Sequence, residues 1–136
     1  MPTQAVLLGS LTIPGQPICL REARDFVERT LHGLSCSDTA VLLTSELVTN
    51  SVQHSSSGGP DGTVTITLVS MAAGIRVEVV DDGGENAPEV TTQPDHAELA
   101  EDGRGLQLVE VLSAKWGHYR DSAGTVTWFE LTGPSP

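Results

Sequence analysis

Residues Ser45 to Ser55 read SELVTNSVQHS, and Glu46, Asn50 and His54 recur in them every four positions. A helix advances 100° per residue, so this spacing stacks an acid, an amide and an imidazole in one file. With Val41 as zero, the three stand at about 140°, 180° and 220°, beside Leu42, Leu43 and Leu47 at about 100°, 200° and 240°. Val41, Val48 and Val52 form a second apolar arc opposite, so the helix reads as apolar on two faces. Burying an unpaired carboxylate in such company costs on the order of several kcal/mol. Two arrangements avoid that cost. Either the file is a solvent stripe at the edge of a sheet, or it lines a wet or liganded pocket. Spacing alone leaves both open, and a lone His or Asn has ordinary hydrogen-bonding roles as well.

Two later motifs carry chemistry of their own. VEVVDDGGENAP puts Asp81 and Gly83 where a strand runs out into a loop. A carboxylate there can accept a hydrogen bond from an exocyclic amine, and a glycine lets backbone approach a flat ring. Asp-Gly is also a common plain turn. EDGRGLQLVEVL then places Gly103 and Gly105 at a helix start. Bare backbone N–H groups and the helix dipole favour an anion there, and Arg104 between them can reach a phosphate. A simple helix entry reads the same way.

The elements that must position these residues follow from periodicity. Ala5 to Ile13 is a short apolar run stopped by Pro14 and Gly15, and predicts a strand. Ile18 to Leu31 has helical spacing through Leu20, Ala23, Phe26, Val27 and Leu31. Capping residues at Ser35 to Asp38 open a helix over about Asp38 to His54. SSSGGPDG, Ser55 to Gly62, is loop by composition. Thr63 to Met71 alternates Val64, Ile66 and Leu68 with threonines, and Ile75 to Val80 alternates again, giving a hairpin about Ala73-Gly74. From Asp81 to Asp102 the chain is polar without apolar period, and segments that long are functional or disordered. Helical spacing resumes from Gly103 to Trp116. Trp116 to Tyr119 and Thr125 to Leu131 close as strands. Mostly hairpin links predict an α+β two-layer sandwich, a mixed and mostly antiparallel sheet with about three helices on one face.

The chain has 136 residues, which predicts a single domain over 1–136 able to bury a core without staples. Eighteen acids against seven Lys and Arg set the formal charge at -11. That surface repels phosphate backbones, so neither nucleic acid nor an anionic membrane is expected as a partner. Cys19 and Cys36 lack metal spacing and a disulfide framework, and read as free thiols in a reducing compartment. Met1 to Ser10 has no basic start, and no apolar run approaches about 20 residues, so a cytoplasmic protein is expected.

In their order along the chain, these motifs resemble the ATP-binding domain shared by gyrase, heat-shock chaperones, histidine kinases and mismatch-repair ATPases (the GHKL superfamily, with its Bergerat-type fold). SELVTNSVQHS, with ARDFVERTL before it and GTVTWFEL at the close, looks most like the stand-alone anti-sigma-factor serine kinases of bacteria. The resemblance runs from about Leu20 to Leu131. It implies ATP and Mg²⁺ as cofactors, with Asn50 as metal ligand through its side-chain oxygen and Glu46 as general base. It also implies that Asp81, Gly83 and Thr125 meet the adenine and that Gly103, Arg104, Gly105 and Leu106 hold the phosphates. The implied partners are a sigma factor and an anti-anti-sigma protein of the STAS type that accepts the phosphoryl group on Ser or Thr, with a possible homodimer. His54 matches the pattern without an assigned role. Two positions depart from the family: Ser51 stands where Ala follows the asparagine, and Glu85 stands where the Asp-x-Gly box has a further glycine.

Overall fold

The computed structural model describes residues 5–54, 62–82, 104–121 and 124–133. Five strands, β1 (Val6–Pro14), β2 (Thr63–Met71), β3 (Gly74–Asp81), β4 (Lys115–Asp121) and β5 (Gly124–Thr132), form one sheet in the order β1-β2-β3-β5-β4. Among the described residues, three α-helices, α1 (Leu20–Thr30), α2 (Ser37–His54) and α3 (Arg104–Leu112), complete the α+β sandwich. All four ladders among the described residues are antiparallel, so the mixed character expected of the sheet does not show in them.

Alternation decides the two faces of the sheet. Val64, Ile66 and Leu68 of β2, Ile75, Val77 and Val79 of β3, and Phe129 and Leu131 of β5 are buried in one core with Ala23 and Val27 of α1. Removing that much aliphatic surface from water is the main stabilising term, about 25 cal/mol per Å². The other face of the sheet is largely polar, with Val80 and buried Val126 paired on it. Thr12 and Thr65 hydroxyls pair at 2.8 Å, and Ser10 and Thr67 at 3.3 Å, across β1 and β2. On β3 and β5, Arg76 bonds Glu78 at 2.9 Å and Glu130 at 3.1 Å while its guanidinium lies 4.1 Å over the Trp128 ring. One cation between two carboxylates and a ring face adds cross-strand cohesion on this surface.

The β3–β5 ladder has a glycine at the entrance of each strand. A Cβ on Gly74 would stand 1.9 Å from the Leu131 carbonyl oxygen, and one on Gly124 would stand 1.8 Å from the Asp81 carbonyl oxygen. No side chain fits at either position, so the strands close flush at both ends.

Two elements differ from expectation. The third helix stops at Leu112 rather than reaching Trp116. Ser113 donates both its amide (2.9 Å) and its hydroxyl to the Val109 carbonyl, and Ala114 already donates to Glu130 of β5 at 2.8 Å. The chain has joined the sheet before its helical spacing runs out, and Trp116 pairs with Phe129. The second difference is in α2, which buries one arc and not two. Ala40, Leu43, Thr44, Leu47, Val48 and Ser51 are buried, at roughly 200° to 340° on the same wheel. Val41 and Val52 are partly buried, and Leu42 is 42% exposed. Residue type misled here, because polar Thr44 and Ser51 occupy the middle of the buried arc.

Candidate functional site

The end of β3 is built by strand register. Asp81 sits opposite Thr125 of β5 and Val64 of β2, and Thr125 sits opposite Arg120 of β4. Directly opposed residues share a face, and this row continues the helix-covered side set by Val77 and Val79. Asp81 is 9% exposed and Thr125 is 5% exposed. A carboxylate and a hydroxyl thus lie side by side at the margin of an aliphatic core. Asp81 is partnered. The Thr125 Oγ1 atom is buried with no hydrogen-bond partner among the described residues. Leaving a buried hydroxyl unpaired costs about 1–3 kcal/mol, and an external polar group at this margin would remove that cost; the hydroxyl of Thr44, inside the packed arc of α2, is unpaired in the same way.

Helix α2 packs on β3 and β2 and touches both α1 and α3. Its acid and amide do not enter the core. Glu46 and Asn50 are half-buried, just outside the buried arc, where an acid keeps contact with water and a ligand can reach it. Ser51 points inward, is 8% exposed and is partnered, so the hydroxyl in place of the family's alanine is accommodated. His54 is the last residue of α2. Arg104, Gly105 and Leu106 form the first turn of α3, the end where the helix dipole favours an anion. Gly83 and Gly103 lie outside the described residues. The structure therefore brings Asp81 and Thr125 together and sets Glu46 and Asn50 on the helix that crosses β3.

Two features of this end escaped the motifs. Gly124 abuts the Asp81 peptide, although a glycine before a threonine-rich strand is a weak signal. His118 is buried at 8% exposure on β4, opposite Thr127, with its ring stacked on Trp116 at 6.1 Å and 16°. Burial lowers its pKa from 6.5. The folded state therefore disfavours the imidazolium, and stability present above 6.5 is lost as pH falls below it. The melting temperature of the wild type is expected to fall more steeply between pH 6.5 and 5.5 than that of His118→Phe. One proton limits the difference to about 1.4 kcal/mol per pH unit. Parallel pH profiles would show that His118 does not contribute.

A helix-borne acid and amide on α2, and a buried carboxylate ending β3 opposite a buried hydroxyl of β5, meet a family-level finding at this point. A family model of the histidine kinase-like ATPase domain matches residues 13–131. The chain belongs to this family. The matched span takes in Glu46, Asn50, Asp81, Thr125 and the start of α3, so all the residues above lie within the family domain. Membership makes this a GHKL-type regulatory domain that binds ATP, usually with Mg²⁺. The free hydroxyl of Thr125 beside Asp81 fits such a ligand, since an adenine edge offers both a donor and acceptors. Comparison with curated proteins gives no significant match. Among the described residues, no helix is long and apolar enough to cross a membrane.

Proposed function

We propose that the chain is a Mg-ATP-dependent serine/threonine protein kinase that phosphorylates an anti-anti-sigma partner of the STAS type and sequesters a sigma factor. The single observation behind the nucleotide site is the unpartnered, buried Thr125 hydroxyl directly across from Asp81. The partner class rests on the resemblance of SELVTNSVQHS to anti-sigma-factor kinases.

In this reading Asp81 accepts a hydrogen bond from the exocyclic amine of the base, and Thr125 donates its hydroxyl beside it. Asn50 holds the metal through its amide oxygen, a hard donor suited to Mg²⁺. Arg104, with the amides of Gly103, Gly105 and Leu106, holds the phosphates at the start of α3. Bound Mg-ATP supplies the phosphoryl group. Glu46, one turn before Asn50, takes the proton of the acceptor hydroxyl. Transfer then depends on positioning and charge neutralisation, with no covalent enzyme intermediate.

A second reading is a non-catalytic ATP-binding adaptor, favoured by Glu85 in place of the further box glycine. One experiment separates the two. Mg-ATP is expected to raise the melting temperature, by the equivalent of about 2.7 kcal/mol at a hundredfold excess over Kd. Partners captured with and without ATP are then mapped for phosphosites. A phosphorylated Ser or Thr on a captured partner supports the kinase. ATP-dependent capture with no transfer favours the adaptor, and no thermal shift overturns both.

A further inference from the structure

The peptide that follows Asp81 is held from two sides. On one side lies Gly124, which opens β5 with φ 143°. A Cβ there would meet the Asp81 carbonyl oxygen at 1.8 Å, its carbon at 2.9 Å and the Asp82 carbonyl carbon at 3.1 Å. Those are backbone atoms, which cannot swing aside as a side-chain end can. On the other side, the Asp82 carboxylate accepts a 2.8 Å hydrogen bond from the Thr63 amide, the first of β2. Asp82 thereby ties the end of β3 to the start of the neighbouring strand, one residue from the Val64–Asp81 pair.

We propose that Gly124 and Asp82 are positioning residues for base recognition. Together they clamp the Asp81–Asp82 peptide so that the Asp81 carboxylate stays in line with the Thr125 hydroxyl. This rests on the reading of Asp81 and Thr125 as the base-binding pair. Neither residue touches the ligand. Gly124 sets how closely β5 lies on the end of β3, and Asp82 stops that end from lifting when the chain leaves the sheet. A displacement of about 1 Å at a binding group is enough to lose its hydrogen bond, and misplacement of that size can cost on the order of a hundredfold in function.

The test compares Mg-ATP with Mg-ITP by titration calorimetry. Inosine carries a carbonyl where adenine carries the amine, so it cannot donate to Asp81 from that position, and its N1–H replaces the acceptor that adenine offers beside it. Wild type is expected to prefer ATP. Gly124→Ala is expected to cut the ATP-to-ITP affinity ratio about tenfold or more, the cost of losing one hydrogen bond to a charged acceptor. Gly74→Ala is the control, because it places an equal clash, 1.9 Å from the Leu131 carbonyl oxygen, at the far end of the same ladder. It should lower the melting temperature and leave the ratio unchanged. If Gly124→Ala does not fold, Asp82→Ala carries the test: it should lower the ratio severalfold, and Asp82→Asn, which keeps an acceptor for the Thr63 amide, should restore it. A wild-type ratio retained by Gly124→Ala or by Asp82→Ala, or a ratio moved as far by Gly74→Ala, overturns the clamp. Absence of ATP binding by the wild type overturns the underlying reading of the site instead.

Discussion

Asn50→Ala is expected to abolish Mg-ATP binding in titration calorimetry while leaving the fold intact. Asn50 is half-buried at the margin of the packed arc of α2, so truncation removes little core. Surface-type substitutions of this kind usually change stability by about 0.5 kcal/mol or less. The effect on ligand is of another order. In the proposed site, a divalent ion held between phosphates and the Asn50 side-chain oxygen would lose that tie to α2. Mg²⁺ demands near-ideal octahedral geometry and exchanges its waters reluctantly, so a neighbouring group does not readily substitute. Affinity is expected to drop at least about a hundredfold, which is roughly 2.7 kcal/mol. The loss should disappear when wild type and variant are compared in EDTA, since both then bind metal-free nucleotide weakly. Wild-type affinity for Mg-ATP in the variant would remove Asn50 from the metal site.

The second large effect separates binding from chemistry at a distance of one helical turn. Glu46→Ala should leave Mg-ATP affinity within a factor of about three, because in the proposed role the acid serves the incoming hydroxyl and not the nucleotide. Single-turnover transfer from labelled ATP to a captured partner should fall by about 10²–10⁴, the usual contribution of a positioned base. Four residues of helix separate the two side chains by about 6 Å along the axis, an offset that suits the proposed division between metal and acceptor. Undiminished transfer by the alanine variant would leave Glu46 as a solvated residue on the helix face and move the reading toward the adaptor.

Strand faces, helix positions and the order of motifs were legible in the linear chain. Thr63 to Met71 shows why. A strict period of two, with Val64, Ile66 and Leu68 on one side, admits one secondary structure and one buried face whatever surrounds it. The file of Glu46 and Asn50 was legible for the same reason, since helical spacing is local.

What local pattern cannot contain is which distant residues become neighbours. Asp81 and Thr125 belong to strands whose pairing is set by the whole eight-pair ladder of β3 with β5, and nothing near either residue announces the other. The single buried arc of α2 is likewise a tertiary result. Thr44 and Ser51 are buried, and Leu42 is exposed, because α1, α3 and the sheet cover one sector of the helix, not because of what those side chains prefer in isolation. Gly124 is the clearest case. By itself it is one glycine among fourteen, and only the approach of β5 to the Asp81 peptide makes a side chain impossible there. Periodicity acts over a turn of helix or two residues of strand, so it settles which way each side chain faces. The close packing of separate strands acts over tens of residues, so it alone settles which of those side chains meet.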